Sequence, residues 1–459
     1  MSGLPALSAE TRRLLSLAWP VMLTSLNWTI LHVTDVVVVG LVSTEQVAAL
    51  GASRTLTYIV IVAALSGMSG VLVFASRADG AGDLAGTGRV LREGLVLAAA
   101  IGIGAAAMLL LFAAPMLEGL GVARELVPDA AHVVRVMALS YPFQLLSIAA
   151  SFFLEGVSRP RRVMAVNLAV LPLNALAAWA LAAGRLGLPE LGAVGAATAT
   201  AIASGIGAVA MLTAVWTLPE ATQRGVRDRS RAAWTGVGAG AVRLARFGTV
   251  PAIASGLELA GFAILIALST ELGDVTAHAF QIVFSIHNVT FGVALGLGSA
   301  AGVRSGNAVG EGRPAAAIPR VAIAAALAAM ATALLALLMV VARAPLVALF
   351  PAAGAVHVLA LAIVPAWAPF ICFDGVQVVL VYALRSLGDQ VIAGVNSILA
   401  YFVVTGGAGV LLVHHGYGAL GLVYASGAGM VAAALLHGGR FAWVGRRLKA
   451  PARPLPRSP

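Results

Sequence analysis

Charge is what this 459-residue chain has least of. Asp, Glu, Lys and Arg make up 10% of it against 60% hydrophobic residues, a balance that excludes a soluble domain of this length. Cysteine is nearly missing too: Cys372 stands alone, so neither an internal disulfide nor a secretory disulfide framework follows. Lys449 is the single lysine among 29 basic residues; with abundant Ala and Gly, that composition fits a GC-rich bacterial genome and so a bacterial plasma (inner) membrane. His32, His278 and His287 lack the His-Glu-x-x-His spacing of a metal helix. No clustered Asp pair or His-Asp set marks a membrane-embedded prenyl or acyl transferase, so the chain is not read as an enzyme and no cofactor is expected. Gly292, Gly296 and Gly298 follow no strand, which makes them sites of close helix packing rather than a phosphate loop.

What the sequence has in plenty is apolar runs of spanning length. About twelve can be counted, near 16–40, 46–76, 89–113, 130–154, 163–184, 192–216, 242–270, 276–303, 320–342, 353–384, 391–413 and 419–437. The first, Leu14 to Gly40, is too long for a signal h-region and has no Ala-x-Ala cleavage site, so it reads as a membrane helix. The fold class expected is all-α integral membrane. Assigning alternate connections to one side collects 24 of the 29 basic residues there. The positive-inside rule makes that side cytoplasmic, with both termini inside. Because the Arg are spread over many short loops, the +10 net charge is an orientation signal with anionic-lipid contacts, not a nucleic-acid surface.

The chain also repeats itself. Arg12-Arg13 leads into Leu17-Ala18-Trp19-Pro20, and Arg243 with Arg246 into Gly248-Thr249-Val250-Pro251; Gly80-Ala81-Gly82-Asp83 matches Gly310-Glu311-Gly312-Arg313. Six helices per half is an even number, so the copies insert in the same orientation, as two six-helix bundles related by a pseudo-two-fold axis along the membrane normal. The expected domains are a lobe over 1–217, a charged cytoplasmic linker over 218–242, a second lobe over 243–437 and a basic cytoplasmic tail over 438–459. Substrate then belongs between the lobes.

Three carboxylates, Asp35, Glu258 and Asp374, sit alone in these apolar stretches, where an ionised group is costly and points to function. Counting from Arg246 and Arg385 at about 1.5 Å per residue puts Glu258 and Asp374 roughly 16 to 18 Å from the inner boundary, near mid-membrane. Two acids at one depth can share a cation, and they are the candidate sodium site. Asp35 is roughly 33 Å along its helix from Arg13, nearer the outer end, and need not act with them. A protonated carboxyl bonded to a neighbouring helix is the alternative reading of the inner pair, and a hydrated surface acid that of Asp35.

Trp19-Pro20 through Thr34-Asp35 to Ala48-Ala49-Leu50-Gly51, then Phe373-Asp374-Gly375-Val376-Gln377-Val378-Val379 followed by Ala383-Leu384-Arg385-Ser386-Leu387-Gly388-Asp389, resemble the MATE (multidrug and toxic compound extrusion) family, in its NorM-like branch. Leu154-Glu155-Gly156, Leu191 to Ala197 with Ala199-Thr200, and Arg304 to Gly310 are similar to it as well. The resemblance implies a cation-coupled antiporter, driven by sodium or protons, with V-shaped lobes around a central cavity. It maps the family's cation-site acids onto Asp35, Glu258 and Asp374. The chain departs from another branch's pattern at Ala178, where that branch has an aspartate four residues after the Asn corresponding to Asn174. Substrates implied are lipophilic, cationic drugs or metabolites, handled by a monomer in contact with lipid. Candidate cavity residues are Asn174, Thr200, Gln281, Asn288, Phe284, Phe291, Gln377 and Tyr382, with Phe373 a further aromatic. The competing readings are a passive channel and a lipid-linked oligosaccharide flippase; the latter calls for several intramembrane Arg, where the helix centres here carry acids.

Overall fold

The computed structural model describes residues 3–352 and 354–449, and among them there is helix and no strand. Twelve spans follow one another: α1 (Leu7–Gly40), α2 (Thr44–Gly80), α3 (Leu84–Gly119), α4 (Val127–Ala138 with Tyr141–Gly156), α5 (Pro160–Ala182), α6 (Gly192–Trp216), α7 (Arg231–Glu271), α8 (Asp274–Gly310), α9 (Pro314–Val341), α10 (Gly354–Ser386), α11 (Gln390–His414) and α12 (Gly418–Lys449). Lipid cannot satisfy backbone N–H and C=O groups, so apolar runs of this length must close their hydrogen bonds within the helix. Tight turns separate neighbours where glycine takes a left-handed conformation, as at Gly273 (φ 104°) between α7 and α8 and at Gly416 (φ 84°) between α11 and α12.

Several spans are broken, each for an identifiable reason. α4 bends by 48° between its two segments, next to Pro142, which lacks an N–H. α10 passes through a 3-10 turn at Ala368–Phe370, where Pro369 cannot continue the α-helical ladder. α11 widens into a π-helical stretch at Ile398–Gly406, a form that recurs at functional sites.

Each half has its own apolar core. Leu109, Leu117, Tyr141, Leu145 and Phe153 centre the first; Phe280, Trp367, Tyr401 and Met430 centre the second. A third core draws on both halves, packing Leu14, Ala18 and Leu72 with Leu297, Ala301, Val379 and Ala383. It lies toward the end marked by Arg13, Arg77, Arg304 and Arg385, and polar contacts between the lobes gather there. Arg77 donates to the Ser386 carbonyl at 2.9 Å, Asn307 to the Ser76 carbonyl at 2.9 Å, and Ser299 to Glu155 at 2.6 Å. Ser66 and Ser255 are 2.7 Å apart. Gly67 and Gly248 let the α2 and α7 backbones touch, since a β-carbon at 248 would sit 1.7 Å from the Gly67 carbonyl oxygen.

The expected linker and tail both carry contacts of their own. The connection after Trp216 is packed against the first lobe: Arg224, buried, donates to Asp79 at 2.8 Å and to Thr87 at 3.0 Å, while Arg92 donates to the Gly225 carbonyl at 2.7 Å. α12 runs twelve residues beyond 437, to Lys449. Trp443 is flanked by Arg440 and Arg447 at 4.0 and 3.7 Å from its ring centre, and Arg440 pairs with Asp389, contacts that hold the extension helical. Arg453 and Arg457 of the expected tail lie outside the described residues.

Candidate functional site

Asp374 stands in the first turn of the α10 segment that restarts after the 3-10 break. An acid there meets the positive end of a half-helix dipole, which favours negative charge. Its Oδ1 accepts hydrogen bonds from Gln377 Nε2 and from the Tyr401 hydroxyl on α11, both at 3.0 Å. Its Oδ2 is 3.7 Å from His287 Nε2 on α8. Gly261 makes the α7–α11 approach possible, because a β-carbon there would lie 2.1 Å from the Tyr401 carbonyl oxygen.

Aromatic rings gather around His287, the neighbour of this carboxylate. His287 lies 5.5 Å from Trp367, 6.2 Å from Phe284 and 6.1 Å from Phe291, centre to centre; Phe262 joins Phe284 to Tyr401 at 5.4 and 5.8 Å. Two polar atoms in the cluster, His287 Nδ1 and Trp367 Nε1, are buried with no hydrogen-bond partner. Glu258 on α7 is part-buried, makes no side-chain hydrogen bond among the described residues, and feels the charges of both Asp374 and Arg385. Tyr58 on α2, 43% exposed, feels Glu258 in turn, which places Glu258 at the space between the lobes.

The other sequence candidates divide by position. Phe284, Phe291 and Gln377 belong to the aromatic cluster, while Gln281 and Asn288 lie two helical turns apart on an exposed face of α8. Tyr382 packs toward Gly298 and Gly302 and under Arg385 at 6.0 Å, nearer the arginine-rich end than Asp374. Asn174 donates to Thr200 at 3.4 Å within the first lobe, away from the second-lobe cluster. Phe373 is 41% exposed; one residue from Asp374, it turns about 100° around the helix and leaves the site. Gly292 and Gly296 abut Ser25 and Met22 of α1, as close helix packing.

Asp35 is neither at the surface nor alone. It is buried, and Arg54 Nη2 donates to its Oδ2 at 2.7 Å. The expectation that the helix centres carry acids without intramembrane Arg is corrected here: Arg54 lies ten residues inside α2. Sequence reasoning passed over it, together with Tyr401 and Trp367. Arg54 could have been found as a lone charge in an apolar run; nothing in the local sequence marks Tyr401 or Trp367.

The MatE family model matches residues 20–180 and 251–406, beginning at Pro20 and Pro251, the paired prolines of the repeat. The chain belongs to the MATE family. This MATE chain is 32% identical to a probable multidrug resistance protein NorM of Caulobacter vibrioides over 86% of its own length and 83% of the relative's. It is also 32% identical to a protein of the same description from Deinococcus radiodurans, over 96% and 98%. Its fold matches the crystal structure of the eukaryotic MATE transporter AtDTX14 with a TM-score of 0.85 at 19% identity, covering 96% of this chain and 99% of the other. Two like-oriented six-helix bundles are therefore the architecture of this MATE protein.

Proposed function

We propose that the chain is a multidrug-efflux antiporter that exports lipophilic, cationic small molecules in exchange for sodium ions or protons. The observation that carries this reading is the second-lobe site: a buried carboxylate, Asp374, beside His287, which Trp367, Phe284 and Phe291 surround, with Glu258 within electrostatic reach. Apolar and aromatic walls with one fixed negative charge suit an organic cation. The unpartnered Trp367 Nε1 and His287 Nδ1 offer polar contacts to a bound molecule or its water.

Coupling follows from the cost of burying charge. A cation on Asp374 and Glu258 neutralises the acids and permits the lobes to close over them, whereas an organic cation competes for the same charge, so ion and drug exclude one another. The described residues bring no three Asp, Glu, His or Cys side chains together as ligands. A sodium ion here takes carboxylate oxygens and completes its shell with neutral oxygens; a proton takes one carboxyl.

Orientation completes the reading. With the arginine-rich end cytoplasmic, the lobe contacts of Arg77, Asn307 and Ser299 seal the inner side, and the cavity opens outward from a bacterial plasma membrane. The lobes move as units joined by the connection after Trp216. The test is efflux of a fluorescent lipophilic cation from membrane vesicles with sodium and pH gradients imposed separately. Wild type responds to one gradient and Asp374→Asn does not; gradient-driven efflux left unchanged in both Glu258→Gln and Asp374→Asn removes these acids from the mechanism.

A further inference from the structure

The first lobe holds an ion pair that the exchange cycle has not used. Asp35, five residues from the end of α1, is sealed from solvent with a side chain 5% exposed, and Arg54 of α2 reaches it at 2.7 Å with a side chain 13% exposed. A second Arg54 nitrogen, Nη1, donates to the His32 carbonyl at 3.0 Å, so the guanidinium is fixed at two points on α1. The remaining carboxylate oxygen, Asp35 Oδ1, is buried and has no hydrogen-bond partner, as has Arg54 Nε. The free lone pairs of Asp35 are thus buried beside a guanidinium that is already in place.

The charge that acts on Asp35 itself is that of Arg54; Glu258 of α7, which packs on α2, reaches as far as Tyr58. α5 and α6, which pack Ala182 and Ala196 against Val38 and Val39 of α1, contain no Asp or Glu; Asn174 and Thr200 bond to each other. The titratable groups facing the pair are His32, one turn back on α1, and Tyr58, one turn on from Arg54, whose rings meet edge-on at 6.4 Å. Arginine keeps its charge at any physiological pH, and a cation delivered by the same chain outcompetes a dissolved one for the position it occupies.

We propose that Arg54 is a tethered counter-cation that holds Asp35 permanently neutralised, so that in this chain the first lobe takes no coupling ion and exchange runs on Glu258 and Asp374 alone. The proposal rests on the antiport reading above, and it makes Arg54 and Asp35 positioning residues that tie α1 to α2 instead of cation-site residues. The family resemblance maps a coupling acid onto Asp35, and Arg54 is the feature of this chain that sets that role aside.

The deciding experiment compares Asp35→Asn, the double variant Asp35→Asn/Arg54→Gln and Asp374→Asn in membrane vesicles, reading both drug efflux and ions exchanged per drug. Asp35→Asn strands a buried guanidinium and lowers efflux about tenfold or more, and adding Arg54→Gln restores it to within about threefold of wild type, because removing both partners is far milder than removing one. The ion count per drug stays at the wild-type value in the double variant. A double variant that is folded, monodisperse in detergent, and as uncoupled as Asp374→Asn overturns the proposal while leaving the antiport reading intact. A second measurement does not depend on transport: dicyclohexylcarbodiimide modifies protonated carboxyls within membranes, and peptide mass spectrometry locates the adduct. Asp35 of the wild-type protein stays unmodified; an adduct on it shows an acid free to take a proton and sinks the assignment whatever the efflux assay gives.

Discussion

Gly248→Ala is a small change with a large expected consequence. A β-carbon at 248 would lie 1.7 Å from the Gly67 carbonyl oxygen and 2.5 Å from its carbonyl carbon, where ordinary contact begins at 3.4 Å. Both obstacles are backbone, so no side chain can swing aside, and α2 and α7 must separate by about 1.5 Å at this crossing. Overpacking of this kind costs about 1–3 kcal/mol, and the cost falls on the conformer whose lobes are closed at the arginine-rich end. The ratio of that conformer to its opposite then drops by about 5- to 150-fold. With Cys372 changed to Ser, spin labels at Thr44 and Asp274, on exposed helix starts at the other end of the two lobes, report the change. Wild type gives a long interlobe distance; Gly248→Ala moves population to a shorter one and slows efflux. A distance distribution and efflux rate identical to wild type would falsify the idea that this glycine contact holds the lobes together.

Two further outcomes are expected. Tyr401→Phe removes one of the two hydrogen bonds to Asp374 Oδ1; a hydrogen bond to a charged group contributes about 1.5–3 kcal/mol, so drug affinity measured by tryptophan quenching should fall about tenfold or more, whereas Phe373→Ala, on the outward face next door, leaves it unchanged. At the α8–α9 loop, burial acts to raise the Glu311 carboxyl, but the Arg320 hydrogen bond and the charges of Arg320, Arg304 and Arg313 outweigh it and hold the group below the usual carboxylate range. A pKa depressed in the folded state adds stability that is present above the unfolded value, about 4.3 for Glu, and is lost as pH falls through the folded one. Melting temperature in detergent should therefore drop on acidification below pH ~4 by less in Glu311→Gln than in wild type; equal drops refute this role for the carboxylate.

Along the helix axes, the sequence was sufficient. A bilayer core of about 30 Å turns residue count into depth at about 1.5 Å per residue. For that reason the twelve spans, the paired prolines Pro20 and Pro251, and the position of Asp35 toward the arginine-poor end of α1 could all be read before any coordinates. Small residues at Gly292 and Gly296 likewise announced close helix approach. Around the helix axis it was not sufficient. Phe373 and Asp374 are neighbours in sequence, yet one leaves the site and the other anchors it; which azimuth faces inward is set by the proline break in α10 and by Thr332, against which Gly375 packs. Tyr401 of α11 reaches Asp374 of α10 from 27 residues away along the chain.

The charge pattern divides the same way. That an acid within lipid is costly, and so marks a place of interest, follows from residue type alone, and it singled out Asp35, Glu258 and Asp374. Which acid is left for an ion to neutralise depends on neighbours. Folding supplied Arg54 to Asp35 and two donors to one oxygen of Asp374, and left Glu258 without a side-chain hydrogen bond. Hydropathy is a property of a segment, but charge compensation is a property of atoms within a few ångströms, and only the packed helices decide which atoms those are.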